Sequence, residues 1–265
     1  MKITKTATEV IENVLTLFDT PEKFIDTVTR GALIPNNSPC RNWSPSNRFV
    51  VAMSGTGDAR GYKQWMKEGR TVIKGSKASY ILVPMIIKRD DEDTGEVKTF
   101  TVGFRGVPVF RVEDTDGKPL PNIEPETLPK AFDIAKQIGV TCKYAGATSD
   151  RVYGVYSGAS KGITLYSQDM ATFYHELAHA LHDRLGKLRK TQGQSKENEI
   201  VAELSAAVLV NIFEGETASR QALEYVKSYK ATKNNIISLT KEIMEVVDLA
   251  ITIGRDLSPQ IDEAV

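Results

Sequence analysis

The N-terminal part of the chain carries apolar side chains at helical spacing. Val10, Ile11 and Val14 recur one to four positions apart on one helical face within 5–30, which predicts amphipathic helix. The Asp-Thr-Pro segment at 19–21 can end one helix and cap the next, because proline is favoured at the first helical position. We therefore expect two helices in this region.

The middle of the chain predicts short helices followed by strands. A stretch rich in proline, asparagine and serine at 31–46 predicts a loop, and helices are expected at 46–53 and 61–68. β-Branched and aromatic residues then dominate, and strands are predicted at 71–73, 78–88, 97–104 and 107–112. A polar turn at 90–95 indicates that the second and third of these strands form an antiparallel hairpin.

The C-terminal part is predicted to be mainly helical. A helix at 127–138, strands at 152–156 and 162–166, and further helices to near Ile253 follow from the pattern. The segment 113–126 is rich in aspartate, glycine, proline and glutamate, which predicts a linker. The expected fold class is α+β with two domains, the second mainly helical with a small β-sheet. We also expect the part before the linker to fold without the remainder.

Length and composition are those of a globular protein. The 265 residues suffice for one large core or two smaller ones, and the net charge is zero. The N-terminus lacks the apolar stretch of a signal peptide, and no run of eighteen apolar residues occurs. Cys40 and Cys142 lie far apart and outside any Cys-x-x-Cys pattern, so free thiols are expected. These features predict a cytoplasmic protein without a membrane partner.

The strongest chemical signal is the His-Glu-Leu-Ala-His segment at 175–179. Two histidines four positions apart lie on one face of a helix, so His175 and His179 can bind one tetrahedral Zn²⁺. Glu176 is then placed to act as general base towards a metal-bound water. His182 lies one turn too far along for the same ion, and we expect it to have a structural or rim role.

Two glutamates further along complete the expected metal site. Glu199 lies twenty positions after His179, and Glu203 follows one helical turn later. This spacing resembles that of gluzincin peptidases, which implies Glu199 as third ligand and Glu203 as the residue that orients a histidine. The alternatives are a solvated Glu199, or Glu203 as the ligand in its place. Tyrosines that could stabilise an oxyanion are Tyr166, Tyr174, Tyr225 and Tyr229.

Positive charge is concentrated between Arg41 and Tyr80. This window holds eight basic residues against two acidic ones, and it contains both tryptophans, Trp43 and Trp65. Cationic side chains that contact phosphates, interleaved with rings that stack on bases, are typical of single-stranded DNA binding. The alternative is that the aromatic rings belong to the core and the charges form a solvated surface.

Several segments, taken in order, resemble ArdC-type antirestriction proteins. The matching residues are Asn47, Gly61-Tyr62, Trp65, Gly69-Arg70, Val72, Lys74-Gly75-Ser76-Lys77, Gly103-Phe104-Arg105, Val107-Pro108-Val109-Phe110, Leu120-Pro121, the helix at 175–179 and the Glu-Ile-Val-Ala-Glu segment at 199–203. The resemblance covers roughly 40–255. Two features of this sequence depart from the family. Trp43 stands alone where the family often has two tryptophans, and 112–115 reads Val-Glu-Asp-Thr in place of a Val-Ser-Gln-Thr-like segment.

The resemblance implies a protein of a plasmid or phage that shields DNA from restriction. It divides the chain into an unassigned helical extension (1–39), a single-stranded-DNA-binding domain (40–112), the linker (113–126) and a zincin-like metallopeptidase domain (127–265). The candidate DNA contacts are Trp43, Asn47, Arg48, Arg60, Tyr62, Lys63, Trp65, Arg70, Lys74 and Lys77. Two alternatives remain open: a zinc peptidase that cleaves a repressor-like protein, and a DNA-binding protein whose metal is structural.

Overall fold

The computed structural model describes most of the chain. The described residues are 2–34, 38–90, 97–120, 131–145, 153–166, 169–189, 195–217, 220–232 and 234–257. Most of the predicted turn at 90–95, the second half of the predicted linker and the start of the helix predicted at 127–138 lie outside these ranges.

Two helices form at the N-terminus, as the sequence predicts. Helix α1 (Lys5–Phe18) is capped by the Thr4 hydroxyl, and α2 (Pro21–Ala32) begins at the proline that the pattern indicated. The rings of Phe18 and Phe24 meet edge to face at 5.1 Å across the junction. Both helices therefore bury their apolar faces against the same core.

A long hairpin dominates the N-terminal sheet. Strand β4 (Ser79–Asp90) pairs antiparallel along its whole length with β5 (Val97–Arg111), with a register shift between Met85 and Ile86. The strands predicted at 97–104 and 107–112 form a single continuous strand, β5. Strands β1 (Lys2–Ile3) and β2 (Ala59–Arg60) also pair with β5.

Short helices and a small ribbon complete this half. Helix α3 (Pro45–Met53) and helix α4 (Tyr62–Lys67) lie close to their predicted positions. Strand β3 (Arg70–Val72) pairs antiparallel with β6 (Thr115–Gly117). The first part of the predicted linker is therefore a strand, because its residues complete this ribbon.

The C-terminal half places a three-stranded sheet beside a group of helices. Its elements are α5 (Ala131–Gln137), β7 (Thr141–Tyr144), β8 (Gly154–Ser157), β9 (Gly162–Leu165), α6 (Met170–Arg184), α7 (Lys196–Glu214), α8 (Arg220–Ser228) and α9 (Ile236–Leu257). The strand order is β7-β9-β8, with β7 parallel and β8 antiparallel to β9. The short strand β7 was not predicted from the sequence.

The main hydrophobic core is continuous from the N-terminal helices to α9. Val14 and Phe24 belong to the same buried cluster as Ile243 and Val247. This continuity argues against the expectation that the N-terminal part folds alone, because its helices complete their core with α9. None of the helices in the described ranges has the length and apolar character needed to cross a membrane.

Candidate metal centre and nucleic-acid interface

Helix α6 presents its histidines to α7 because its opposite face is buried. Phe173, Leu177 and Leu181 are fully enclosed in the core. The Asp169 carboxylate caps the helix by accepting from the backbone N–H groups of its first turn, and the chain leaves it at Gly186 with a φ of 68°. A left-handed φ favours glycine, which explains why the helix ends at this position.

Three side chains bring their ligand atoms together between α6 and α7. The Nε2 atoms of His175 and His179 are 3.2 Å apart, and each lies 3.5 Å from a different oxygen of Glu199. Metal–ligand bonds of about 2.0–2.1 Å in a tetrahedron separate neighbouring ligand atoms by about 3.3–3.4 Å. The arrangement therefore fits a divalent cation. Within the described ranges it is the one such group of histidine, cysteine or acidic side chains.

Glu203 lies behind the first histidine. Its Oε2 is 2.9 Å from Nδ1 of His175, the ring nitrogen that faces away from Glu199. A carboxylate in this position fixes the tautomer and the orientation of a metal-binding imidazole. The geometry therefore favours Glu203 as an orienting residue, and Glu199 as the ligand.

The electrostatics of the site favour a cation. Burial lowers the pKa of His175, but hydrogen bonds to Glu199 and Glu203 outweigh this effect and raise it to about 10. Burial raises the pKa of Glu199, but hydrogen bonds from His175 and His179 lower it to about 2. The carboxylates thus hold positive charge between the two helices.

Strand β8 covers the candidate base, Glu176. The backbone N–H of Tyr156 donates to the Glu176 carboxylate, and burial raises the pKa of that carboxyl group. A Cβ on Gly154 would lie 2.8 Å from Thr172 Cγ2 and 2.9 Å from Glu176 Cγ. Sequence reasoning did not single out this glycine. The available signal was a glycine inside a predicted strand, which often marks a close approach of two backbones or side chains.

The described tyrosines differ in their relation to the site. Tyr174 is buried, and its hydroxyl donates to a carboxylate at the end of α7, 2.6 Å away. The Tyr229 hydroxyl accepts from a side-chain amide ahead of α9. Burial raises the pKa of Tyr225, and the charges of Glu199 and Glu203 raise it further, so this ring lies near the metal-site carboxylates.

His182 does not face the metal site. Its side chain is fully buried, and Nε2 lies 3.2 Å from Oε2 of Glu242 on α9. This is the structural role that the spacing predicted for the third histidine.

Four of the candidate DNA contacts are buried: Trp65, Asn47, Arg48 and Arg60. The Trp65 ring is fully enclosed, and its indole N–H donates to a backbone carbonyl of β5 at 2.8 Å. The Asn47 amide makes two hydrogen bonds with the Leu82 backbone, at 2.8 and 2.9 Å. Arg48 is 4% exposed and pairs with Asp248 of α9. These side chains do not reach the surface, so we correct the prediction and assign them to the fold.

Two further arginines hold the fold together. Arg60 is buried and forms ion pairs with Asp58 and Glu68, at 2.8 and 2.7 Å. Arg70 donates to both the hydroxyl and the carbonyl oxygen of Thr115, at 2.8 Å each, and so joins β3 to β6. Both guanidinium groups form hydrogen bonds or ion pairs within the fold, and we therefore assign these two arginines to the fold as well.

The remaining candidates are accessible. Tyr62 is 49% exposed, and Met66, one turn later on α4, is 59% exposed. Trp43 is half-buried against a small cluster around Cys40. We call the exposed lysines and large apolar residues of α4 and of the segment from β3 to β4 the basic face; they are Tyr62, Lys63, Met66, Lys67, Ile73, Lys74 and Lys77. Lys67 is one of the eight basic residues of the window, but the sequence analysis did not name it, Met66 or Ile73 as a contact; the i, i+4 spacing on α4 could have indicated the first two.

Fold and site together define a class: an α+β protein with a candidate divalent-metal site between two helices of its C-terminal half. Two crystal structures of the antirestriction protein ArdC from plasmid R388 have this fold. The metal-free one has a TM-score of 0.58 and 20% identity, and covers 81% of this chain and 86% of ArdC. The Mn(II)-bound one has a TM-score of 0.64 and 17% identity, and covers 94% and 98%.

No protein-family model matches the sequence, and no curated protein matches it. At these identities the likeness to ArdC shows the fold, and it confirms the fold that the sequence resemblance implied. One of these ArdC structures contains Mn(II), and in this chain His175, His179 and Glu199 form a candidate site for a divalent metal.

Proposed function

We propose that this chain is an ArdC-type antirestriction protein that binds single-stranded DNA and carries a zinc-dependent metallopeptidase domain. The observation that carries the proposal is the His175, His179 and Glu199 cluster within an ArdC-type fold. The resemblance of separate sequence segments to the same family supports it independently.

The donor set suits zinc. Two imidazoles and one carboxylate are a ligand set of catalytic zinc sites, and imidazole is a ligand that zinc shares with several transition metals. When bound in such a site, zinc supplies a Lewis acid and lowers the pKa of a water molecule to about 7. Because the ArdC crystal structure contains Mn(II), the choice of zinc belongs to the proposal.

Glu176 and Tyr225 have separate roles in the proposed hydrolysis. Glu176 takes a proton from the water that attacks the peptide carbonyl, and later delivers it to the leaving amine. Its carboxylate is placed for this role because it is buried beside both histidines under strand β8. Tyr225 donates a hydrogen bond to the developing oxyanion, because its half-exposed ring lies near Glu199 and Glu203.

Metal analysis of purified variants tests the proposed zinc site. One zinc should accompany the wild-type chain and be lost from His175→Ala/His179→Ala. His182→Ala is the matched control, because its imidazole belongs to the same helix but contacts Glu242 instead. Glu176→Gln should keep the metal and lose any peptidase activity. Stoichiometric zinc in the double variant would exclude the site, and full proteolysis by Glu176→Gln would exclude the assigned base.

The basic face supports binding to single strands. Tyr62 and Met66 offer apolar surface on α4, and Lys63, Lys67 and Lys74 place cationic groups around it. Stacking of a base on an aromatic ring needs an unpaired base, whereas lysines contact phosphates of any sequence. We therefore expect binding that prefers single strands and shows little sequence specificity.

Removing one exposed ring tests where the strand binds. Tyr62→Ala should weaken single-strand binding by about 1–3 kcal/mol and leave the melting temperature nearly unchanged. Tyr153→Ala is the matched control, because Tyr153 is 58% exposed but precedes strand β8 in the other domain. Equal losses in both variants, or no loss in Tyr62→Ala, would remove the basic face from the proposal.

A further inference from the structure

A single arginine joins the segment after α6 to two helices. The guanidinium of Arg189 donates to both oxygens of Glu242 on α9, at 2.9 Å each, and its Nε lies 2.8 Å from Glu197 on α7. The backbone of Arg189 also exchanges two hydrogen bonds with the Asn198 side chain, at 3.1 and 2.9 Å. These contacts hold the two residues that immediately precede Glu199.

Glu242 also reaches the helix that carries the histidines. Its Oε2 lies 3.2 Å from Nε2 of the buried His182, and the Ser238 hydroxyl donates to Oε1 at 3.0 Å. Burial raises the pKa of Glu242, but hydrogen bonds from His182 and Arg189 lower it to about 2. Helix α9 is thus connected through one ionised carboxylate to α6 directly and to α7 through Arg189.

The position of Glu199 explains why such support matters. It is the fourth residue of α7 (Lys196–Glu214), in a turn whose first N–H groups have no partner within the helix. The first turn of a helix frays more readily than its interior. His175 and His179 lie in the interior of α6, so the geometry of the three-ligand cluster depends most on the first turn of α7.

We propose that Arg189 and Asn198 are positioning residues that hold Glu199 at the metal. They fix the first turn of α7 to the segment after α6 and to α9, and so set the distance between Glu199 and the two histidines. The inference rests on the metal site of the proposed function.

Competition with a chelator tests the inference through the Zn²⁺ affinity of the full chain. Arg189→Met and Asn198→Ala should each weaken Zn²⁺ binding by up to about tenfold, the lower end of the range for direct hydrogen-bond partners of metal ligands, because they act on Glu199 through the first turn of α7. Arg189→Lys should recover part of the loss. Lys187→Met is the matched control, because the Lys187 ammonium pairs with Glu245 and so ties the same segment to α9.

Melting of the metal-free chain separates positioning from general stability. The inference expects the stabilisation that Zn²⁺ adds to shrink in Arg189→Met, because this increment follows the metal affinity. A lower metal-free melting temperature with unchanged Zn²⁺ affinity would overturn it, as would an equal loss of affinity in Lys187→Met. A wild-type chain that binds no Zn²⁺ would instead refute the proposed metal site, and this inference with it.

Discussion

The ion pair between α3 and α9 tests whether the two halves share one core. Arg48 is 4% exposed, its Nη1 donates to Asp248 Oδ1 at 2.8 Å, and a second contact joins the other guanidinium nitrogen to Oδ2. Arg41 lies 3.7 Å from the same carboxylate. Burial lowers the pKa of Arg48 to about 10, and the nearby positive charges of Arg41 and Arg255 contribute to this shift.

Asp248→Leu should therefore destabilise the whole chain. Removing one partner of a buried pair costs about 3–5 kcal/mol, because the other charge is left uncompensated. The Asp248 side chain is 20% exposed, which leaves some access for water and places the expected loss near 3 kcal/mol, at the lower end of that range. The double variant Arg48→Met/Asp248→Leu should recover part of the loss, because it removes the buried Arg48 charge and leaves only Arg41, which is 13% exposed, without the Asp248 carboxylate.

Urea unfolding followed by two probes measures the effect. Both tryptophans, Trp43 and Trp65, lie in the N-terminal half and report on it by fluorescence, whereas circular dichroism reports on all helices. The two transitions should shift together. Asp26→Leu is the control, because its pair with Arg30 is about half exposed and should contribute less than about 1 kcal/mol. An equally small loss in Asp248→Leu, or a shift in fluorescence alone, would refute a shared core.

Three other changes have defined outcomes. Gly154→Ala should cost about 1–3 kcal/mol in urea unfolding while zinc content is kept, because its methyl group overlaps Thr172 and Glu176; unchanged stability would contradict that contact. Glu203→Ala should weaken metal affinity about 10–100-fold in chelator competition. The pKa of Glu242 is about 2 in the folded chain and about 4.5 in the unfolded chain. The free energy by which ionised Glu242 stabilises the fold is therefore fully present above about pH 4.5, and it is lost as the pH falls from there towards 2. Glu242→Gln should flatten this acid part of the stability profile.

The metal site could be predicted because its geometry is mostly local. The spacing of His175 and His179 on one helix fixes their shared face before any tertiary contact is known. Glu199 required a resemblance to a class of proteins, since nothing local brings α7 to α6. Gly154 and Tyr156 could not be predicted, because they act through the packing of a strand onto the helix.

The DNA candidates show what composition leaves undetermined. A window rich in basic and aromatic residues does not tell which side chains point outwards. Trp65 and Arg60 became part of the fold, whereas Tyr62 and Lys63, close by in sequence, remained exposed. The indole N–H of Trp65 meets a carbonyl of β5, a contact that only the folded sheet creates.

The shared core is the largest departure from the sequence prediction. Helical periodicity located α1 and α2 but did not show what covers their apolar faces. Besides α3 and the hairpin, α7 and α9 cover these faces, and both lie beyond a segment that reads as a linker. Arg48 and Asp248 are 200 residues apart in the sequence, so no local pattern could have predicted their ion pair.

Binding of the full chain to a labelled single strand, measured by fluorescence anisotropy over a series of salt concentrations, tests the proposed function most directly. The strand should bind more tightly than its duplex, with a log–log salt slope of about −0.7 per phosphate neutralised. Lys74→Ala/Lys77→Ala should flatten the slope, and Lys143→Ala/Lys161→Ala, the same change of charge on exposed residues of the other domain, should not. Equal affinity for duplex, or binding that salt does not weaken, would contradict the proposal and favour a repressor-cleaving peptidase.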